Sequence, residues 1–75
     1  MKGNASFYIH DEESDDGSRE LWRVEGRRGF FKKLNHNNTT EGEWIYDQFI
    51  PEMVIDFDFS HQITKITKYE AVLLL

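Results

Sequence analysis

Arg19-Glu20-Leu21-Trp22-Arg23-Val24-Glu25-Gly26-Arg27-Arg28-Gly29-Phe30-Phe31-Lys32-Lys33-Leu34 is the stretch that decides the reading of this chain. Residues 21–24 are β-prone and set Trp22 and Val24 on one side of an extended segment. The glycines at 26 and 29 can supply the positive φ that a tight turn requires, so residues 25–29 read as a hairpin turn. Residues 30–34 then form the returning strand. An antiparallel hairpin is the centre of the fold.

The flanks extend this sheet. Residues 6–10 (Ser-Phe-Tyr-Ile-His) predict a strand, and residues 11–18 an acidic loop that closes on Gly17-Ser18. Beyond the hairpin, Asn35-His36-Asn37-Asn38 reads as a loop, because asparagine tolerates left-handed backbone. Thr40 with Glu43 three residues later is a capping-box pattern. It predicts a short helix carrying Ile45, Tyr46, Phe49 and Ile50 on one face and ended by Pro51. An extended segment over 44–50 is its rival. Residues 53–59 alternate cleanly, Met53, Ile55, Phe57 and Phe59 against Asp56 and Asp58, and predict a strand. Residues 63–74 predict a last long strand, with a helical undertone in the spacing of Ile63, Ile66 and Tyr69. The fold class is therefore α+β: an antiparallel sheet of about five strands with one short helix between strands 3 and 4. A small all-β barrel is the alternative.

Composition bounds the rest. Seventy-five residues, 39% hydrophobic and 31% charged, make one small domain over residues 1–75. Eleven aromatics (15%) must carry most of the core, since each ring buries ~150–250 Å². The absence of cysteine excludes disulfides, Cys-ligated zinc, iron–sulfur clusters and thiol catalysis. The apolar run at 71–75 is far below the ~20 residues that span a bilayer, and the first residues lack a signal-peptide core. A cytoplasmic protein with no membrane association is expected.

Charge is segregated. Residues 19–35 carry six cations against two carboxylates, while residues 1–18 and 36–75 are each net acidic and the whole chain is −5. Cations interleaved with Trp22, Phe30 and Phe31 are what a single-stranded nucleic-acid surface needs: positive charge for phosphates and flat rings for bases. The competing reading is cross-strand pairing of those cations with the acidic flanks, and the net −5 opposes long-range attraction of a polyanion.

Chemistry-bearing constellations are weak. On an EF-hand template Glu12, Ser14 and Asp16 fall at ligand positions and Gly17 at the required glycine, but Arg23 stands where the bidentate glutamate belongs. Asp56 and Asp58 would lie ~7 Å apart on one strand face, with no nucleophile beside them. His10, His36 and His61 lack metal-ligand spacing. No phosphate-binding glycine loop or hydrolase motif occurs. No catalytic residues, metal or cofactor are expected.

A non-enzymatic protein-binding module therefore fits best, in the class of inhibitor, immunity or accessory factors, with another protein or a second copy of itself as partner. The candidate contact residues are Trp22, Arg23, Arg27, Arg28, Phe31, Lys33 and Trp44, because aromatic and Arg side chains anchor such surfaces. The alternative, from a different class, is single-stranded nucleic-acid binding through the hairpin at residues 19–34. The apolar stretch 69–75, read as a strand, is either buried in its own fold or used between chains.

Overall fold

A computed structural model describes residues 4–56 and 62–75. Five strands, β1 (Ala5–His10), β2 (Arg19–Glu25), β3 (Arg28–Leu34), β4 (Thr40–Tyr46) and β5 (Ile63–Ile66), form one sheet in the order β4-β3-β2-β1-β5. Every neighbouring pair is antiparallel. The sheet is open, so the α+β reading holds and the barrel alternative does not. Two helices complete the described chain, α1 (Ile50–Ile55) and α2 (Lys68–Leu74).

The central hairpin forms as its sequence predicts. β2 and β3 pair from Arg19↔Leu34 to Glu25↔Arg28, leaving Gly26 and Arg27 as a two-residue turn. Gly26 has φ +60°, a positive value at the first turn position, which type II′ hairpins reserve for glycine. Gly29 serves a different purpose. It is not in the left-handed region; a Cβ there would stand 2.6 Å from Cβ of Ile50 and 2.7 Å from Cδ of Pro51. Its bare backbone lets α1 lie against the sheet.

Three predicted elements are corrected. The helix lies between the fourth and fifth strands, not the third and fourth, because residues 40–46 are a strand. Gly42 adopts φ +77°, which no α-helix accommodates, and the β3–β4 ladder bulges there between Phe31↔Ile45 and Lys33↔Glu41. Pro51 opens a helix instead of ending one: in the first turn its missing N–H has no intrahelical partner to lose. Residues 50–55 therefore coil where the alternation of 53–59 predicts a strand; Phe57, Asp58 and Phe59 lie outside the described residues. The last predicted strand is cut short at Ile66 and turns into α2. Thr67 accepts the Glu70 amide on its hydroxyl (3.0 Å), and Glu70 accepts the Thr67 amide (2.8 Å), a complete capping box.

Register assigns every ladder residue to a face. Tyr8, Trp22, Val24, Gly29, Phe31 and Ile45 share one, and α1 covers it over β2 and β3. Phe7, Ile9, Leu21, Phe30, Leu34 and Tyr46 share the other, where α2 lies against β1 with Ala71 fully buried. Core side chains occur on both sides: Trp22 and Ile50 on the first, Phe7, Leu21 and Leu34 on the second.

Candidate ring-and-cation face

Two-residue periodicity sorts the basic hairpin across the sheet. On the α2 side, the ladder residues include Arg19, Arg23, Arg28 and Lys32, with Glu25 as the one carboxylate among them. On the α1 side, Lys33 and Lys65 are balanced by Glu20 and Glu41. The excess positive charge of residues 19–35 is thus carried on one face. The acidic loop that joins β1 to β2 lies at the far end of β2 from the Gly26–Arg27 turn, beside Arg19 and Lys33 and away from Arg28.

Rings gather with those cations. Phe30 stands opposite both Arg23 and Tyr46 in the ladders, and its ring meets Tyr46 edge-on with centroids 5.8 Å apart. The Arg23 guanidinium sits 5.1 Å from the Phe30 centroid and 5.3 Å from that of Trp44. Lys32 Nζ lies 5.5 Å from the Trp44 ring. Such contacts are worth ~0.5–1 kcal/mol each at exposed sites. Here they orient the cations over the rings. Arg23 also donates Nε (2.9 Å) and Nη2 to Oε2 of Glu25. Beside the cluster a groove of about 460 Å³ runs between the sheet and α2, lined by Phe7, Arg23, Glu25, Trp44, Lys68 and Leu75.

The seven residues singled out from the sequence do not form one surface. Arg23, Arg28 and Trp44 come together on the ring-and-cation face. Trp22, Phe31 and Lys33 point to the opposite side, and Arg27 sits exposed at the tip of the turn. Trp22 is only 2% exposed, donates Nε1 to Oε1 of Glu20 (2.8 Å) and stacks on His10 at 5.0 Å. Its indole belongs to the core and offers no surface to a partner. Lys33 pairs with Asp16 of the acidic loop at 3.0 Å. The Ser18 hydroxyl and amide, then Lys33, hold the Asp16 carboxyl well below the usual carboxylate range, and Asp16 in turn raises Lys33. Cross-strand neutralisation by the flanks therefore accounts for Lys33 but not for Arg28 or Lys32, which have no ion pair among the described residues.

Phe30, Lys32, Tyr46 and Lys68 join this face without being among the seven candidate contact residues, although sequence reading places Phe30 and Lys32 in the basic hairpin. The first two were accessible to it: once residues 30–34 are a strand, Phe30 and Lys32 must share a side, opposite to Phe31 and Lys33. Tyr46 and Lys68 needed the true course of residues 40–46 and 67–74.

The remaining constellations stay apart. Among the described residues there is no group of three or more His, Asp or Glu side chains placed to hold one ion. Asp56 caps α1, whereas Asp58 and His61 lie outside the described residues. The Asp11–Ser18 loop is closed by its own bonds, including Ser18 N–H to Oδ1 of Asp16 at 3.0 Å. No helix among the described residues is long and apolar enough to cross a membrane. The chain matches no known protein family, no curated protein and no solved structure.

Proposed function

We propose that the chain is a non-enzymatic protein-binding module in the class of accessory, immunity or inhibitor factors, with another protein or a second copy of itself as partner. The observation that carries this reading is the outer face of α2. Ala71 is fully buried against the sheet, yet Tyr69 (73% exposed), Val72 (55%) and Leu73 (67%) project outward. Their spacing of three and four residues makes one continuous stripe. Burying a side chain of this size contributes ~1.5–3 kcal/mol, so a partner that covers the stripe gains several such contributions from one helix face. The helix is seven residues long and held by a capping box, a short and fixed projection.

The test is solution mass by light scattering, followed by affinity capture from the source organism's extract. A dimer, or a stoichiometric partner, that is lost in Leu73→Glu while the melting temperature holds is the expected result. A monomer that captures nothing, or a complex indifferent to Leu73→Glu and Val72→Glu, overturns the reading.

A further inference from the structure

We infer that the ring-and-cation face of the sheet, independently of the α2 stripe, is a binding site for single-stranded nucleic acid. The two requirements of such a site are met by different residues of the same surface. Among the described residues no carboxylate forms an ion pair with Arg28 or Lys32, and Lys68 lines the same groove as Trp44. These cations span β3 and the rim of α2, so a strand lying across the sheet meets positive charge along its path. Flat surface comes from Tyr46, 57% exposed, and from half-buried Phe30 and Trp44 beside it. Alternate residues on one strand stand ~7 Å apart, so Arg28, Phe30 and Lys32 present cation, ring, cation in a row.

Stacking of a base on an aromatic ring is sequence-tolerant and takes any base, while charge along the groove follows the backbone. A duplex hides its base faces and has no use for the rings; a single strand offers them. The net charge of −5 does not abolish this attraction, because screening confines each field to about a Debye length, ~8 Å at physiological salt. Around Phe30 and Trp44 the ladder cations of this face are Arg23, Arg28 and Lys32, and the one ladder carboxylate, Glu25, is taken up by Arg23. The opposite face, with its cations matched by carboxylates, is the built-in control.

Fluorescence anisotropy with labelled oligo-dT and oligo-U, against a duplex of equal length, tests the site. The single strands bind at ~50 mM salt. Their affinity falls about fifteenfold by ~200 mM, as neutralisation of roughly three phosphates on a single strand requires. Arg28→Glu with Lys32→Glu abolishes binding; Tyr46→Ala weakens it about tenfold by removing one stacked base. Lys65→Glu, the same charge change on the other face, leaves it intact. Bound strand quenches tryptophan emission in the native chain and not in Trp44→Phe, where only buried Trp22 remains. Circular dichroism confirms that each variant is folded. No binding at ~50 mM salt overturns the site, as does equal loss in Lys65→Glu. So does a poly-glutamate peptide that binds as tightly and answers to the same variants, which would make the face a receptor for an acidic protein. None of these outcomes touches the α2 stripe, whose variants are separate.

Discussion

The two faces of the sheet are made from the same strands and are closed in different ways. On the Trp22 side, α1 presses onto β2 and β3 so tightly that only glycine fits at position 29, and the ladder charges cancel. On the Phe30 side, α2 covers β1 through Ala71 and leaves the β3–β4 half uncovered, with cations in excess and rings half exposed. Both faces contribute core side chains, but one matches its ladder cations with carboxylates and the other carries them in excess. A strand makes this division unavoidable, since neighbouring residues must part company; Phe30 and Phe31, chemically identical, end in opposite roles. An inventory of hairpin residues therefore says little about function until each is assigned a side.

The open face still has a core beneath it, and the sharpest way to show this is Leu34→Ala. Leu34 is fully buried on the same side as Phe30 and Lys32. Truncation removes transfer energy and leaves a cavity, a loss of ~2–5 kcal/mol in chemical denaturation. A loss below ~1 kcal/mol would mean that this face is surface throughout and the contrast is false. The next effect belongs to the closed face. Gly29→Ala places a methyl 2.6 Å from Ile50 Cβ and 2.9 Å from the Asp47 carbonyl oxygen. Overpacking of this kind costs ~1–3 kcal/mol. Because the obstacles are a Cβ, a proline ring and a backbone oxygen, truncating a side chain of α1 cannot relieve them and α1 itself must shift; faster exchange of the Met53 amide, which bonds to the Phe49 carbonyl, would show that shift.

How much of this was readable beforehand is best seen in two segments with the same cue. Thr40-x-x-Glu43 and Thr67-x-x-Glu70 both spell a capping box, and only the second makes one. The first is followed by Trp44-Ile45-Tyr46 and contains Gly42, which sits left-handed in a bulge beside β3. The second is followed by Ala71 and leucines, good helix formers, and its apolar residues were misread as a strand. A local signature gives the option of a helix; the edge of a growing sheet decides whether the option is taken. Pro51 shows the same limit, since proline both ends and begins helices and position within the turn decides. The hairpin and β1 were legible because alternation, turn glycines and length agreed. In the candidate site, residue type alone points to Arg23, Arg28 and Trp44 together with Trp22, Phe31 and Lys33, and only the register parts the two groups.

Thr67→Ala isolates the second of these segments. Without the hydroxyl the Glu70 amide loses its acceptor, and a cap of this kind is worth ~1 kcal/mol. Because α2 is the cover of the Phe30 side, the loss should appear as faster amide exchange in Ala71 and Val72 as well as a lower melting temperature. Thr67→Ser, which keeps the oxygen, restores both. Unchanged exchange in Thr67→Ala would show that packing of Ala71 alone holds the helix.

The smallest effect compares the Lys33–Asp16 pair of the closed face with the Arg23–Glu25 pair of the open one. Asp16, held by Ser18 and then by Lys33, has its carboxyl pKa lowered in the folded chain. A lowered value means that its stabilisation is complete above the ordinary carboxylate pKa, about 4, and drains away as pH falls below it. Lys33 is raised by Asp16, so its share is complete below the ordinary lysine value of about 10.4 and lost above it. Between those limits the pair is constant. Asp16→Asn should therefore melt lower than the native chain at pH 7 and converge with it in strong acid. Both groups are exposed, so ~1 M salt should erase the Lys33 share and leave the Ser18 bonds. The corresponding change on the other side, Glu25→Gln, removes the carboxylate that accepts from Arg23 but leaves the guanidinium its Phe30 and Trp44 neighbours, so at pH 7 it should lower the melting temperature less than Asp16→Asn. If Glu25→Gln instead costs more, the Phe30 side is as charge-locked as its opposite and is not free to bind a polyanion.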